Sequence, residues 1–212
     1  MRTAILFDLD GTLLDTLEDL AAAVNHTLRG FGFPERTLDE VRCFVGNGAR
    51  RLMELAVPAG ADVDAALAAF RVYYDAHCRV RTKPYEGISE ALEILKGKYP
   101  VAIVSNKPDA AVKQLCAELF PGVYALGEAA DCPRKPAPDM VFKAMAVLGV
   151  EKCVYVGDSE VDVRTAKNAG VHCVSVLWGF RDRRELTEAG AETFCEHTEE
   201  LIAKIEEIIH GQ

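Results

Sequence analysis

The sequence predicts an α/β fold, in which helices cover both faces of a parallel sheet and a helical bundle is inserted after the first strand. Two observations carry this prediction. From Pro84 onward, helical stretches alternate with short apolar runs, a pattern typical of a parallel sheet. One further apolar run, residues 4–7, precedes a long stretch without convincing strands. Because a single strand cannot bury both of its faces, this first strand must join the later sheet.

The inserted stretch carries the signals of several helices. After the first strand, predicted over residues 3–7, apolar residues recur at helical spacing until Gly30, and they are Leu17, Leu20, Ala21, Val24 and Leu28. Thr37 can cap a second helix, with Glu40 at the capping-box position. Asp62 can cap a long helix later in the stretch. We therefore expect a small helical bundle here.

The remaining elements are predicted from Pro84 to the C-terminal end. Three further buried strands are expected over residues 101–104, 153–156 and 171–176. Helices are expected over residues 89–96, 109–119, 139–148, 161–169 and 199–209. The apolar stripe of the last helix is expected to pack on the sheet. The predicted domains are an α/β core of residues 1–15 and 84–212 and a helical insertion of residues 16–83.

The composition limits the classes of function. A net charge of −9, without a basic stripe that carries interleaved aromatic residues, argues against nucleic-acid binding. No apolar run approaches the ~20 residues that a membrane helix needs. The seven cysteines are scattered and none forms Cys-x-x-Cys, which favours reduced thiols over a disulfide framework or a zinc site. We expect a cytoplasmic monomer or homodimer without a membrane or nucleic-acid partner.

Two carboxylates, Asp8 and Asp10, lie where the first strand ends. Gly11 and the polar residues after it predict a sharp turn or a small helical loop. Loops at the carboxyl ends of strands are where open α/β sheets place their chemistry. Two close carboxylates repel each other unless a cation compensates, and Mg²⁺ with its oxygen ligands is the natural candidate.

Two later loops carry polar side chains that suit an anion. Ser105 and Asn106 follow the strand at residues 101–104, and a hydroxyl and an amide beside a helix N-terminus suit phosphate oxygens. Loops and helix caps use the same residue types for other reasons. Lys135 lies among prolines, which restrict its backbone, and its compact ammonium suits a phosphate or a carboxylate. Arg134, next to it, could compete for this role.

An acidic cluster follows the strand at residues 153–156. Asp158 can complete a Mg²⁺ site with Asp8 if their two strands are neighbours in the sheet. Asp162 lies one helical turn further on, on roughly the same face. It could contact the water ligands of the metal or Lys135, or it could only favour the start of its helix through the helix dipole.

Taken in order, these motifs resemble a known family. The segments Asp8-Leu9-Asp10-Gly11-Thr12, Ser105-Asn106, Lys135-Pro136 and Gly157-Asp158 with Asp162 are similar to the four motifs of the haloacid dehalogenase-like (HAD) phosphatases. The resemblance implies a Rossmann-like parallel sheet core with an inserted helical cap. Within the family the likeness is to the phosphoglycolate phosphatase-type enzymes, and it is carried by residues 12–16, 45–50 and 156–162.

The resemblance implies Mg²⁺-dependent hydrolysis of a small phosphate monoester through an aspartyl-phosphate. Asp8 would be the nucleophile, and Asp10 would act as acid and then as base. Mg²⁺ would be bound by Asp8, Asp158 and the backbone carbonyl of Asp10. The residues implied to bind the phosphoryl oxygens are Ser105, Asn106 and Lys135. An acid at position 10 argues against the dehalogenase and phosphonatase relatives, which lack it.

The helical cap is expected to close over the site and to recognise the leaving group. Gly46-Asn47-Gly48 is the expected specificity loop, because glycine lets the backbone approach a ligand. Arg50 is the expected ligand for a substrate carboxylate, and the alternative is a surface arginine on a bundle helix. A sugar phosphomutase of the β-phosphoglucomutase type or a pyrophosphatase could use the same core. A catalytically silent binding protein is the alternative outside the enzymes.

Overall fold

The computed structural model describes residues 2–211 of the chain. Its main sheet has six strands, all parallel, in the order β5-β4-β1-β6-β7-β8. The strands are β1 (Thr3–Phe7), β4 (Val101–Pro108), β5 (Tyr124–Glu128), β6 (Lys152–Gly157), β7 (His172–Val176) and β8 (Thr193–Cys195). The predicted α/β fold with a parallel sheet is confirmed.

Helices cover both faces of this sheet. They are α5 (Ile88–Lys98), α6 (Asp109–Leu119), α7 (Asp139–Leu148), α8 (Glu160–Ala169), α9 (Arg183–Glu188) and α10 (Leu201–Gly211), and a short 3₁₀ helix, Thr198–Glu200, precedes α10. Alternate residues of β1 face opposite sides of the sheet: Ile5 and Phe7 belong to one apolar cluster, and Ala4 and Leu6 to another. An apolar run without polar interruption is what a strand covered on both faces requires.

Four helices lie between β1 and the rest of the core. They are α1 (Leu17–Gly30), α2 (Leu38–Phe44), α3 (Gly48–Ala56) and α4 (Val63–His77). Two short antiparallel strands, β2 (Leu14–Asp15) and β3 (Lys83–Pro84), pair where this insertion begins and ends. The helix starts follow the predicted caps, since Thr37 accepts a hydrogen bond from the Glu40 amide and Asp62 accepts one from the Ala65 amide.

Three elements of the core are missing from the sequence prediction: β5, β8 and α9. The strands β5 and β8 are the two edges of the sheet, and β8 has only three residues. Edge strands need not be apolar on both faces, so their sequences lack the uninterrupted apolar run of a central strand. The helix α9 has six residues, although Asp182 and Glu185 form a capping box at its start. Its shortness leaves too few turns for a periodic pattern.

The order of the strands decides where the loops meet. β1 lies in the middle of the sheet and pairs with β4 on one side and β6 on the other. All three strands are parallel, so their carboxyl ends lie at the same edge. The polar residues after β1, in β4 and after β6 are therefore brought together, although they are far apart in the chain. No helix within residues 2–211 is long and apolar enough to cross a membrane.

Candidate active site

One cavity lies at the carboxyl ends of β1, β4 and β6, beneath the helical insertion. Six of the predicted site residues line it, and they are Asp8, Asp10, Ser105, Asn106, Lys135 and Asp158. The insertion covers the cavity with backbone of the turn at residues 46–48 and with apolar side chains that include Leu20, Leu52 and Phe70. The cavity therefore has a charged floor and a mainly apolar roof.

The floor of the cavity concentrates acidic side chains. Oxygen atoms of Asp8, Asp158 and Asp162 all lie within 4.8 Å of one another, and all three residues are buried. The ammonium of Lys135 lies 2.8 Å from Asp8 Oδ1 and 2.7 Å from Asp162 Oδ1. Three carboxylates against one ammonium would leave two negative charges inside the protein, which is costly without a further cation.

Burial raises the pKa of both candidate metal ligands. For Asp158, burial and the neighbouring Asp162 carboxylate raise the pKa to about 7. For Asp8, burial and then Asp162 raise the pKa well above its usual range, although Lys135 acts in the opposite direction. A raised carboxyl pKa means that the charged form is not fully compensated by the groups around it. The site therefore has a deficit of positive charge.

Asp162 positions other residues of the site through hydrogen bonds. Its Oδ1 accepts hydrogen bonds from Lys135 Nζ at 2.7 Å and from the Tyr155 hydroxyl at 3.1 Å. Its Oδ2 accepts from the Ser159 hydroxyl at 2.6 Å and from the Ser159 amide at 3.1 Å. Both oxygens are occupied, so Asp162 holds Lys135 in place and is poorly suited to bind a metal directly. Of the alternatives that the sequence allowed, the structure favours the contact with Lys135.

Asp158 is held by contacts from two other loops. Its Oδ1 accepts a hydrogen bond from the Thr12 hydroxyl at 3.0 Å, and its Oδ2 accepts one from the Phe180 amide at 2.8 Å. Close approach makes glycine necessary on both sides of this carboxyl. A Cβ atom on Gly11, whose φ is +85°, or on Gly179 would lie 2.3 Å from atoms of Asp158. The Gly-Thr pair after Asp10 thus serves to position a carboxylate from a different strand.

The two polar residues of β4 have different environments. Ser105 is buried at the cavity, and its Oγ accepts a hydrogen bond from the Lys107 amide at 3.2 Å. The Asn106 side chain donates to the carbonyls of Lys135 at 2.9 Å and Gly46 at 3.2 Å, and it accepts from the Lys135 amide at 2.8 Å. The Asn106 amide is therefore committed to joining the Lys135 loop and the insertion, and Ser105 is the freer of the two.

Arg50 is the predicted substrate-binding residue that the structure does not bring into the cavity. Its guanidinium pairs with Asp64 on the surface of the insertion, and about half of its side chain is exposed. Arg134, the competitor of Lys135, is exposed, whereas only 2% of Lys135 is exposed. The geometry thus matches the alternative stated for Arg50, a surface arginine on a bundle helix.

Two further residues line the cavity, Lys107 and Arg181, and neither was predicted from the sequence to act there. Lys107 directly follows the Ser105-Asn106 pair, and its ammonium lies 2.7 Å from Asp10 Oδ1. Its place immediately after a polar motif was the available signal. Arg181 lies after Trp178-Gly179-Phe180, in a loop whose sequence gives no indication of what it faces.

Arg181 joins the core to the insertion. Its Nε pairs with Glu160 Oε2 at 2.9 Å, which holds the guanidinium in place. Its Nη1 donates to the Arg42 carbonyl at 3.0 Å, and its Nη2 donates to the carbonyls of Val45 at 2.7 Å and Cys43 at 3.4 Å. These carbonyls lie at the C-terminal end of α2, where a cation also interacts favourably with the helix dipole.

Arg181→Met should loosen the docking of the insertion. The carbonyls at the end of α2 would lose a charged donor, so we expect the free energy of unfolding to fall by about 2 kcal/mol. We also expect faster backbone hydrogen exchange over residues 42–48, measured by mass spectrometry. Arg184→Met is the control, because its ion pair with Glu188 is exposed on α9. Unchanged exchange over residues 42–48 would contradict the docking role.

The acidic floor fits a divalent metal with oxygen ligands. Asp8 and Asp158 supply two buried carboxylates close enough to share one ion, and Mg²⁺ is usually bound through one or two carboxylates. A divalent charge would balance the two negative charges left after Lys135 is counted. Histidine and cysteine are absent from the cluster, which makes zinc a poor match. Asp10 could add its backbone carbonyl, as expected from the sequence.

Comparison with known proteins gives a family match and relatives that agree with each other. Residues 5–176 match the haloacid dehalogenase-like hydrolase family. Phosphoglycolate phosphatase 1 of Pseudomonas aeruginosa is 34% identical over 213 residues, which cover 93% of this chain and 78% of the relative. The phosphoglycolate phosphatase of Aquifex aeolicus is 37% identical over 182 residues, covering 83% and 85% of the two chains.

A solved structure agrees in fold and in sequence. The crystal structure of a candidate phosphoglycolate phosphatase from Lactobacillus delbrueckii subsp. bulgaricus superimposes with a TM-score of 0.90 at 36% identity. The match covers 96% of this chain and 98% of that one. Family match, relatives and fold agree with the four motifs gathered at one edge of the sheet. The chain therefore belongs to the haloacid dehalogenase-like hydrolase family, within which it is a phosphatase.

Proposed function

We propose that this chain is a Mg²⁺-dependent phosphatase that hydrolyses a small phosphate monoester through an aspartyl-phosphate. The observation that carries the proposal is the position of Asp8. Its carboxyl lies at the end of the central strand, beside Asp158 and Lys135 and next to Asp10 in the same loop. A nucleophile, a proton donor and two kinds of positive charge can thus act on one phosphoryl group.

In the first step an oxygen of Asp8 attacks phosphorus and the bond to the leaving oxygen breaks. Asp10 donates its proton to that oxygen, so that an alcohol leaves. In the second step a water molecule attacks phosphorus and gives its proton to the Asp10 carboxylate. The bond to Asp8 then breaks, inorganic phosphate is released, and both residues return to their starting states. One difficult displacement is thereby divided into two easier ones.

The remaining residues of the floor hold the phosphoryl group. Lys135, fixed between Asp8 and Asp162, supplies a positive charge that is already in place before the substrate binds. Ser105 can donate its hydroxyl hydrogen to a phosphoryl oxygen, and Asn106 positions the Lys135 loop. Mg²⁺, held by Asp8, Asp158 and the Asp10 carbonyl, would reduce the repulsion between the nucleophile and the anionic phosphate.

We propose the helical insertion, residues 16–83, as the cap that selects the substrate. Its side chains make the roof of the cavity mainly apolar, and it is docked by Arg181 and Asn106. Because the insertion covers the cavity from above, a small ester is favoured over a long polymer. A leaving group of a few atoms is expected, and phosphoglycolate is the substrate named for the relatives.

A panel of phosphate esters, with and without Mg²⁺, tests this function. The panel contains 2-phosphoglycolate, hexose phosphates, nucleotides and pyrophosphate, and the measured quantity is released inorganic phosphate. We expect kcat/KM for 2-phosphoglycolate to exceed that for the others by at least about tenfold, which corresponds to about 1.4 kcal/mol of transition-state binding.

Other outcomes would redirect the assignment. Equal rates across the panel would contradict the phosphoglycolate preference and leave the phosphatase chemistry standing. Transfer of phosphate between two positions of a hexose, without release into water, would identify a sugar phosphomutase. Preferred cleavage of pyrophosphate would identify a pyrophosphatase. Binding of the esters without any turnover would identify a silent binding protein and overturn the proposal.

A further inference from the structure

Lys107 makes a buried ion pair with Asp10 at the edge of the cavity. Its ammonium lies 2.7 Å from Asp10 Oδ1, and its side chain is only 2% exposed. The neighbouring Lys135 pairs with Asp8 and Asp162, so each of the two lysines pairs with different carboxylates. No hydrogen bond within residues 2–211 engages Asp10 Oδ2. One oxygen of this carboxyl is therefore held, while the other stays available.

The insertion encloses this ion pair. The ring of Tyr74, from α4, lies under the Lys107 ammonium at 4.8 Å from the ring centroid, a distance at which the ring face attracts a cation. The Tyr74 hydroxyl is buried and has no hydrogen-bond partner within the described part of the chain. Burial lowers the pKa of Lys107, but Asp10 and Tyr74 together raise it by more, so the side chain stays an ammonium.

We propose that Lys107 is the positioning residue that holds Asp10 for proton transfer to the leaving group and from the attacking water. This inference rests on the proposed phosphatase function and adds to it the reason why Asp10 is effective. A carboxyl that rotates freely spends little time in the geometry for proton transfer, whereas one held at Oδ1 presents Oδ2 in a fixed place. Docking of the insertion completes the arrangement, because Tyr74 covers the ammonium.

The proposal predicts a dependence on the leaving group. An alkoxide, as from 2-phosphoglycolate, must be protonated as it leaves, whereas 4-nitrophenolate is stable without a proton. For Lys107→Met we expect the rate constant of the first step, measured in single-turnover reactions, to fall about 30- to 100-fold with 2-phosphoglycolate and less than about threefold with 4-nitrophenyl phosphate, with little change in the ester concentration that gives half-maximal rate. The first step is compared because the second step, in which Asp10 acts as base, is the same for both esters. Lys107→Arg should recover part of the loss, because it retains a donor to Oδ1.

A double-mutant comparison separates positioning from other roles. In the first step Asp10→Asn should show the same dependence on the leaving group, and Lys107→Met combined with Asp10→Asn should be no slower than Asp10→Asn alone. If the losses in rate caused by the two single substitutions multiply in the double variant, the proposal is wrong. An equal loss of the first-step rate constant with both esters would also overturn it. So would a rise in the half-saturating ester concentration confined to 2-phosphoglycolate, which would instead make Lys107 a ligand of the substrate carboxylate.

The wild-type enzyme and the folding of the variants complete the test. Failure of the wild type to hydrolyse either ester would overturn the proposed function itself, whereas an active wild type with any of the contrary variant results would overturn only this inference. Circular dichroism and thermal melting should show that the Lys107→Met and Lys107→Arg variants are folded. If both variants fail to fold, the role of Lys107 is structural and the positioning proposal is wrong.

Discussion

Asp8→Asn is expected to lower phosphate release by about 10⁴-fold or more while the protein stays folded. An amide nitrogen or oxygen is a poor nucleophile toward phosphorus, so the covalent step is lost. The fold should survive, because asparagine has almost the same volume and its carbonyl oxygen can still accept the hydrogen bond from Lys135. The measurement is kcat with the best ester of the panel, together with the melting temperature.

A matched control is available on the surface. Asp39→Asn makes the same chemical change at an exposed position in the first turn of α2, and it should leave kcat unchanged. A second measurement follows the phosphate directly: brief reaction with ³²P-labelled ester and acid quenching should leave label on the wild type and none on Asp8→Asn. Wild-type turnover by Asp8→Asn would show that Asp8 is not the nucleophile.

Removal of divalent metal is expected to abolish turnover, and added Mg²⁺ is expected to restore it. The buried floor holds three carboxylates and one ammonium, so two negative charges are left without a partner. A ligand that binds only the folded state stabilises it by an amount that grows with ligand concentration. We therefore also expect Mg²⁺ to raise the melting temperature of the metal-free protein, which a thermal scan after dialysis against a chelator would measure.

The stabilisation by Mg²⁺ should depend on pH. Burial raises the pKa of Asp158 from its ordinary 3.8 to about 7, so the metal-free folded protein binds more protons than the unfolded chain between these values. The contribution of Asp158 to the stability of the metal-free protein is therefore most favourable below pH about 4. This contribution is lost as the pH rises through about 7. Since Mg²⁺ binds the deprotonated carboxylates, the increase in melting temperature should be larger near pH 8 than near pH 5.5.

A variant distinguishes this site from weak metal binding elsewhere. Asp158→Asn should lose most of the increase in melting temperature caused by Mg²⁺, because one of the two candidate ligands is neutralised. It should also be more stable than the wild type without metal near pH 8, since one uncompensated buried charge is gone. Full turnover after exhaustive chelation, with no shift in melting temperature on adding Mg²⁺, would exclude a metal site on this floor.

Local sequence patterns account for much of the fold. The bounds of α6 and α7 agree with the prediction, and the capping residues Thr37 and Asp62 start their helices as expected. The central strands were found because a strand covered on both faces needs an uninterrupted apolar run. The edge strands β5 and β8 lack this requirement, and their existence depends on which neighbour is free to pair with them.

The candidate site divides in the same way. The polar residues at the strand ends could be named in advance, because parallel strands bring their carboxyl ends to one edge of the sheet. The contacts that each of these residues makes could not be predicted. That Asn106 is committed to Lys135 and Gly46, and that Arg50 pairs with Asp64 on the surface, depends on how segments distant in the chain pack against one another.

The sequence by itself determined the family, the parallel core, the place of the insertion and the set of acids at the strand ends, since each is written in a local pattern of residues. Only the tertiary structure decided which partner each buried cation has. Lys107 pairs with Asp10, and Arg181 donates to carbonyls at the end of α2; both are contacts between residues about 100 or more positions apart. Such partners are chosen by packing and by the need to compensate buried charge, and neither leaves a periodic signal in the chain.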